Sequence, residues 1–283
     1  MAARERVVEL SLFALAVVFA LFGYGAERGR RVTAEPGPRD PSGLRVVTWN
    51  VGGSGGPEGH PANDKDLAWI AERLKSLDPD LVFLQEVRSR DQLQRLRTSL
   101  GPEETDAAIT GSGDRRVAAI AQRGYLEASE FWSAGRRALA LVYRSRGRPS
   151  VSGVALHADA YSARERNREI GAAMDRLSRT KSADAKILAG DFNLDLDLGK
   201  RRDLFTDDEH LDVETYNFVA SSLLDAGAEG GPTAEPDRRL DYVFVSPGAF
   251  EVASARPWKG QRIGDMDHDP LVVDLRFVRG GGR

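Results

Sequence analysis

The chain has 283 residues, 41% of them hydrophobic, which is enough for one large α/β domain or two small ones and argues against a disordered chain. The formal net charge of −3 excludes a global positive field for nucleic acid or an anionic membrane, so local groups must hold any anionic substrate. The absence of cysteine excludes disulfides, thiolate metal sites and cysteine nucleophiles.

The N-terminal segment differs in kind from the rest of the chain. An apolar run without charge extends from Leu10 to Ala26, with basic residues on both sides. Its length lies between that of a signal-peptide apolar region and a transmembrane span of ~20 residues. We expect residues 1–32 to be a membrane anchor, with the rest of the chain on either side of the membrane, or the signal of a secreted protein. Residues 33–43, rich in Pro, Gly and charge, are predicted to be a linker, and residues 44–283 the catalytic domain.

Within this domain, short strand-type runs alternate with amphipathic helical stretches, a pattern typical of an α/β fold. The predicted elements, in chain order, are a strand over 44–50, a helix over 63–77, strands over 80–87, 116–123, 137–145 and 150–158, a helix beginning at Ser162, a strand over 185–193, a helix over 216–227, and strands over 239–246 and 270–278. The three strands between 116 and 158 are expected to be antiparallel neighbours because their connections are short.

Polar side chains of catalytic type lie at or near the ends of these strands. They are Asn50, Glu86, His157, Asp191, Asn193, Asp241, Asp267 and His268. Ligands of α/β sheets bind at strand ends, so these residues are predicted to meet in one cleft. Taken singly, Asn50 is also typical of a turn, and His157 of an ordinary strand-end histidine.

The types of donor in this set favour one kind of chemistry. Carboxylate and amide oxygens are the ligands that hard divalent cations such as Mg²⁺ or Mn²⁺ prefer, commonly together with phosphate oxygens of a substrate. A buried carboxylate at Glu86 would need such a cation or a donor. The sequence has no Gly-x-Ser-x-Gly elbow, no phosphate-binding Gly-x₄-Gly-Lys-[Ser/Thr] loop and no His-Glu-x-x-His pair, which disfavours acyl transfer, nucleotide triphosphate and zinc-protease sites.

Six segments, in order, resemble the successive motifs of the endonuclease/exonuclease/phosphatase superfamily, in its deoxyribonuclease I-like and sphingomyelinase-like branch. They are TWNVGG (48–53), LQEV (84–87), VALHAD (154–159), LAGDFNLD (188–195), RLDYVFVS (239–246) and MDHDPLVVDL (266–275). The resemblance runs from about Leu44 to Phe277. It implies a four-layer α/β/β/α sandwich of two mixed β-sheets flanked by helices, which the N-terminal hydrophobic membrane segment would precede.

The resemblance also implies roles for the metal ligands and one substrate contact. Asn50 and Glu86 match metal ligands of the family, Glu86 being the principal one, and Asp267 matches the acid that helps to hold the metal site. Arg88 occupies a position that could contact a nucleic-acid phosphate, although it is equally typical of a surface arginine at the start of a helix. The metal is expected to be Mg²⁺ or Mn²⁺.

The catalytic residues follow from the same motifs. Asp191 and Asn193 match the residues that align and deprotonate the attacking water, and His268 matches the histidine at the scissile phosphate. Asp241 matches the acid that orients His268, and His157 a second histidine that contacts the phosphate. The family's usual Ser-Asp-His is Met-Asp-His here, which puts fine geometry in doubt rather than activity. Asp269, next to His268, is expected to raise the pKa of that histidine.

The function expected from these residues is divalent-metal-dependent hydrolysis of a phosphodiester, or of a phosphomonoester, by in-line attack of water. A nuclease-like activity is favoured, on a phosphoester substrate that is either nucleic acid or a phospholipid headgroup. The alternatives are a membrane-associated phospholipid or sphingomyelin-type phosphodiesterase and a non-catalytic binding module on the same fold. The protein is expected to be a monomer that contacts the membrane through its N-terminal segment.

Overall fold

The structure, a computed structural model, describes residues 33–54, 59–101, 105–113, 115–180, 183, 185–197 and 209–278. The membrane segment predicted over residues 1–32 lies outside these residues. None of the helices within the described ranges is both long and apolar enough to cross a membrane.

Four helices are described. They are α1 (Leu67–Leu77), α2 (Arg90–Leu100), α3 (Ala163–Arg179) and α4 (Glu209–Ala220). Helix α1 buries its apolar face, which includes Ile70 and Leu74. Helix α3 begins after Ser162, whose side chain accepts a hydrogen bond from the backbone N–H of Glu165, as the capping sequence predicts.

The strands form two six-stranded sheets. The strands are β1 (Leu44–Asn50), β2 (Leu81–Val87), β3 (Thr105–Ile109), β4 (Arg116–Gln122), β5 (Tyr125–Ser133), β6 (Arg136–Arg144), β7 (Val151–His157), β8 (Ala185–Asp191), β9 (Leu224–Asp225), β10 (Asp241–Val245), β11 (Phe250–Pro257) and β12 (Leu271–Phe277). The first sheet has the order β11-β12-β1-β2-β4-β3, and the second the order β5-β6-β7-β8-β10-β9. Both sheets are mixed, because β1 pairs with β2 and β7 with β8 in parallel, while the other pairs are antiparallel.

Three apolar layers hold the sheets and helices together. The central layer lies between the two sheets and contains Phe83, Leu141 and Val243. The outer layers pack α1 and α2 against the first sheet and α3 and α4 against the second. The chain therefore forms an α/β sandwich of two mixed sheets flanked by helices, as the family resemblance implied.

Several elements differ from the sequence-based expectation. Strand β4 was expected beside β6 and β7 but lies in the other sheet, between β2 and β3. The helix predicted over 216–227 begins earlier, at Glu209, and ends at Ala220, so that the stretch after it supplies β9 instead. Strands β3, β5 and β11 were not predicted, because edge strands with one solvated face lack a continuous apolar run. Helix α2 was not among the predicted elements either.

The segment over 33–43, predicted as a linker, is bonded to the domain along its length. The backbone N–H of Thr33 donates to the carbonyl of Lys259 at 3.3 Å, and the N–H of Lys259 donates to the Thr33 hydroxyl at 2.8 Å. Further along, the buried Arg45 guanidinium donates to the carbonyl of Gly37 at 2.8 Å. These bonds fix the segment as a strap along the first sheet.

Candidate active site

The second sheet places three of the predicted side chains at one level. Asp191, the last residue of β8, is in register with His157 on β7 and with Asp241 on β10. In the first sheet, Asn50 ends β1 next to the β2 residue that precedes Glu86. Because the two sheets pack face to face, these strand ends form one cleft.

The carboxylate of Asp191 is at the centre of the cleft. Its Oδ2 atom accepts a hydrogen bond from Asn50 Nδ2 at 3.0 Å. The Nε2 atoms of His157 and His268 each lie 3.7 Å from the same oxygen. The Oδ1 atom accepts the backbone N–H of Asn193 at 3.0 Å. Asp191 is only 1% exposed, so its carboxylate is shielded from bulk water and is held by the hydrogen bonds from Asn50 and Asn193.

His268 forms a buried pair with Asp241. Its Nδ1 lies 2.7 Å from Asp241 Oδ2, and its carbonyl accepts a hydrogen bond from the Trp49 indole at 3.0 Å. Burial lowers the pKa of His268, but the Asp241 and Asp191 carboxylates outweigh it and raise that pKa well above its usual value. The imidazole is therefore charged near neutrality, with Nε2 turned towards Asp191.

His157 has the opposite electrostatic environment. Burial lowers its pKa to about 4, and the nearby Asp191 carboxylate does not offset this. Its Nε2 also lies 3.7 Å from Glu86 Oε1, whereas its Nδ1 is buried and has no hydrogen-bond partner among the described residues. Near neutrality the cleft thus holds one charged and one neutral imidazole.

Glu86 occupies an unusual backbone position. Its φ of 61° lies in the left-handed region, which costs free energy for a residue with a side chain. Its Oε1 accepts a hydrogen bond from Asn50 Nδ2 at 3.1 Å, and its Oε2 lies 3.9 Å from Arg115 Nε. A Cβ atom at Gly52 would lie 2.2 Å from Glu86 Oε2, so only glycine leaves room there. Burial raises the pKa of Glu86.

Asp267 and Asn193 lie at the edges of this group. Asp267 is partly buried beside His268, and burial raises the pKa of its carboxyl. Asn193 has a φ of 50°, and its side-chain Nδ2 donates to the carbonyl of Ala158 at 3.0 Å. Its amide therefore ties the end of β8 to the end of β7, and its backbone N–H orients Asp191.

Arg88 lies two residues after Glu86, at the same end of the sheet. Its side chain is exposed, and within the described part of the chain it makes no ion pair or hydrogen bond. Its backbone N–H donates to Gln92 Oε1 at the start of α2. The structure thus leaves its side chain in solvent, and its role as a substrate contact stays a prediction.

The donor set fits a hard divalent cation. The half-buried carboxylate of Glu86 and the buried one of Asp191 share the single amide group of Asn50, and a further buried oxygen, Asp241 Oδ1, has no hydrogen-bond partner in the described ranges. Ligand atoms of Asp191, Asp241 and His268 also lie within 4.8 Å of one another. Since the Asp241–His268 pair is already hydrogen-bonded, the oxygens on the Glu86 side are the better ligands.

Sequence reasoning missed some supports of the site. The Thr233 hydroxyl accepts the backbone N–H of Asp241 at 3.1 Å and so fixes the start of β10. Asp269, expected to raise the pKa of His268, instead accepts the N–H of Gln261 and lies 3.3 Å from Arg262. The carboxylates that raise the pKa of His268 are those of Asp241, Asp191 and Asp267.

A known protein family resembles this chain in sequence, and solved structures resemble it in fold. The sequence model of the Endonuclease/Exonuclease/phosphatase family matches residues 47–262. No curated protein matches the chain in sequence.

Solved structures with the same fold include an endonuclease/exonuclease/phosphatase from Bacteroides vulgatus, with 17% identity, a TM-score of 0.64, and coverage of 83% of this chain and 99% of that one. The human Nocturnin catalytic domain with a bound sulfate anion has 21% identity and a TM-score of 0.64, over 85% of this chain and 96% of that one. D. rerio TDP2 complexed with a single-strand DNA product has 16% identity and a TM-score of 0.61, over 83% and 99%.

These structural neighbours share the two-sheet sandwich, and the family match spans the strand ends that carry Asn50, Glu86, His157, Asp191 and Asp241. The chain is a member of the endonuclease/exonuclease/phosphatase family.

Proposed function

We propose that the protein is a divalent-metal-dependent phosphoesterase that hydrolyses phosphodiester bonds by in-line attack of water. The observation that carries the proposal is the convergence of His157 and of the charged pair of His268 and Asp241 on one oxygen of Asp191, beside Glu86. A general base flanked by two imidazoles is an arrangement suited to a phosphoryl group whose charge rises in the transition state.

In this mechanism Asp191 accepts the proton of the attacking water. The water oxygen bonds to phosphorus as the bond to the opposite, leaving oxygen breaks, so no covalent intermediate with the protein forms. Hydrogen bonds from Asn50 and from the Asn193 backbone hold the carboxylate in place. His268, protonated and oriented by Asp241, donates from Nε2 to a phosphoryl oxygen. His157 contacts the same group as a neutral imidazole.

Glu86, Asn50 and Asp267 would hold the cation, for which we propose Mg²⁺ or Mn²⁺. When bound, the cation neutralises charge on the non-bridging and leaving oxygens. The hydrogen bonds of Asn50 to Glu86 and Asp191 hold the two carboxylates close together.

A nuclease-like activity is the favoured form of the proposal. One structural neighbour, D. rerio TDP2, is described with a single-strand DNA product, and Arg88 lies exposed at the same end of the sheet as Glu86. A phospholipid or sphingomyelin-type phosphodiesterase is the second candidate, because of the apolar run near the N-terminus. A non-catalytic binding module is less well supported, because Glu86, Asp191 and His268 are all present and assembled.

For residues 1–32 we propose a membrane anchor, or a signal that is cleaved to release a secreted protein. The apolar run from Leu10 to Ala26 supports both. N-terminal sequencing of the mature protein, together with membrane fractionation, separates the two outcomes. We further propose a monomer, which light scattering of the purified chain would test.

The catalytic proposal is tested by incubating the chain, with Mg²⁺ or Mn²⁺, with bis-nitrophenyl phosphate, plasmid DNA, RNA, sphingomyelin and phosphoinositides. We expect turnover of a diester that is lost in His268→Ala. Hydrolysis that persists undiminished in this variant would contradict the proposed site, and no turnover of any substrate would favour the binding module.

A further inference from the structure

A second feature of the cleft lies beside His157, between the tips of two hairpins. In the first sheet, β4 begins at Arg116, in register with Val87 at the end of β2. In the second sheet, β6 runs antiparallel to β7, so that β6 begins at the end of β7 that carries His157. The β3–β4 and β5–β6 turns are therefore both at this end. A cavity of about 200 Å³ lies between them, and His157 forms part of its wall.

The wall of this cavity is cationic. Arg115, Arg136 and Arg137 line it, although the chain as a whole is acidic. Arg136 lies 3.1 Å from Asp159, and Arg137 pairs with Glu130, so carboxylates outside the cavity hold both guanidinium groups in position. Two polar atoms of the lining residues, Arg137 Nε and His157 Nδ1, are buried without a hydrogen-bond partner in the described part of the chain.

An exposed tryptophan forms the outer rim. Trp132 is 64% exposed, the largest exposed fraction among the large hydrophobic residues of the described chain. The guanidinium of Arg137 lies 4.5 Å from the centroid of its ring, which holds the indole in place. An indole kept in solvent beside a phosphate-hydrolysing centre is suited to stacking on a nucleobase.

The chemistry of the wall selects among phosphodiesters. The three arginines line the cavity and the carboxylates that pair with them, Glu86, Asp159 and Glu130, do not, so the arginines disfavour a choline headgroup despite the indole at the rim. They attract an additional phosphate, and arginine is well suited to bind one through paired hydrogen bonds. The cavity is smaller than the roughly 300 Å³ of a typical small-molecule site, so it fits one unit of a longer substrate.

We propose that this cavity is the subsite for the nucleotide next to the scissile phosphodiester, with its phosphate on Arg136 and Arg137 and its base stacked on Trp132. The substrate is then single-stranded nucleic acid, because a base reaches the indole only when it is unstacked from its neighbours. The inference rests on the proposed phosphodiesterase function and specifies its substrate class.

The test measures binding without turnover. The full chain is titrated into a fluorescein-labelled thymidine octanucleotide in EDTA, and affinity is followed by fluorescence anisotropy. Trp132→Ala and Arg137→Ala should each weaken binding about 10-fold, and Arg137→Ala should also reduce its salt dependence. Trp132→Phe, which retains a stacking surface, should recover most of the affinity.

The same hairpin offers matched controls. Tyr125, on β5, is 52% exposed at the end remote from the turn, and Arg144 pairs with Glu127 there as Arg137 pairs with Glu130. Tyr125→Ala and Arg144→Ala should bind the oligonucleotide like the unaltered chain. Equal losses in these controls, or no loss in Trp132→Ala and Arg137→Ala, would overturn the subsite.

Two further arms separate this inference from the function beneath it. Binding to phosphatidylglycerol vesicles that depends on Trp132, with oligonucleotide binding unchanged, would assign the cavity to a lipid and overturn the proposal. Turnover of bis-nitrophenyl phosphate by the unaltered chain tests the catalytic function alone. Absence of turnover of this diester and of every other substrate in the panel, with Trp132-dependent oligonucleotide binding intact, would refute the catalytic function and leave the cavity supported as a nucleotide-binding site.

Discussion

His268 Nδ1 lies 2.7 Å from Oδ2 of Asp241, and both side chains are almost fully buried. This contact fixes the ring orientation and stabilises the charged imidazole, since the pKa of His268 is raised well above 6.5 by Asp241 and Asp191 in spite of burial. Its contribution to stability is therefore complete below about pH 6.5 and is lost as the pH rises through the raised pKa.

Replacement of Asp241 by asparagine should separate orientation from charge. We expect Asp241→Asn to lower the pKa of His268, because a neutral amide does not stabilise the charged ring. We also expect kcat to fall by about 100-fold or more, because the phosphate-facing Nε2 loses its positive charge and the tautomer of the ring is no longer fixed. NMR titration of the histidine ring and the pH dependence of kcat measure the two effects. An unaltered chain in which His268 is already neutral at pH 6 would contradict this account.

Glu86 should couple metal binding to stability. In Glu86→Gln we expect at least ~100-fold lower activity and little or no rise in Tm on adding Mg²⁺, whereas the unaltered chain should gain stability because the cation binds only the folded state. Without metal, the variant should be as stable as the unaltered chain or more stable, because burial penalises the Glu86 charge. A marked loss of Tm in EDTA would show that Glu86 has a structural role instead.

Glu169 on α3 should make stability depend on pH. Burial raises its pKa to about 7, although its carboxylate accepts the N–H of Asp159 at 2.7 Å and lies 3.7 Å from Arg136. A raised pKa means that its contribution is complete below about pH 4.5 and is lost as the pH rises through about 7.

Glu169→Gln should therefore flatten the dependence of the free energy of unfolding on pH between about 5 and 8, by roughly 2–3 kcal/mol at most. Denaturant unfolding at several pH values measures it. Asp175→Asn, on the exposed face of the same helix, is the control and should keep the slope of the unaltered chain. An unchanged slope in Glu169→Gln would mean that this carboxyl titrates normally.

The strap over 33–43 should contribute measurably to the stability of the domain. A chain that begins at residue 41 loses the Arg39 contact to the buried Asp80 at 3.3 Å and the Gly37 carbonyl that Arg45 uses. We expect it to be less stable than a chain that begins at residue 33, by about 1–3 kcal/mol. Thermal unfolding of the two truncated chains measures this, and equal Tm values would show that the strap is dispensable.

Much of the fold was predictable because its central strands are apolar and end in polar residues. The runs before Asn50, Glu86 and Asp191 supply both signals, and each became a strand at its predicted place. Edge strands were not predictable, since most positions of β5 and β11 are exposed or half-buried and no apolar run marks them.

The sequence predicted the residues of the candidate site that lie within single motifs, but not the partners that other parts of the fold bring to them. Asp195, at the end of the LAGDFNLD motif, is 4% exposed and pairs with Arg238, a partner that only the folded chain brings near. The arginines and Trp132 of the cavity beside His157 come from two hairpins of different sheets. Trp132, Arg136 and Arg137 lie within six residues on one hairpin, but only the sandwich brings Arg115 and His157 beside them.

The bonds between Thr33 and Lys259 also determine how a mechanical load would enter the domain. Strand β11 ends just before Lys259 at the end of the sheet where Asn50 lies, and the chain continues from there to the loop that carries His268. A pull on whatever precedes Thr33 would therefore act first on the rim of the catalytic cleft, and only later, through the rest of the strap, on β1. Three hydrogen bonds of Thr33, two with Lys259 and one to the carbonyl of Pro257, would carry such a load towards the loop of His268.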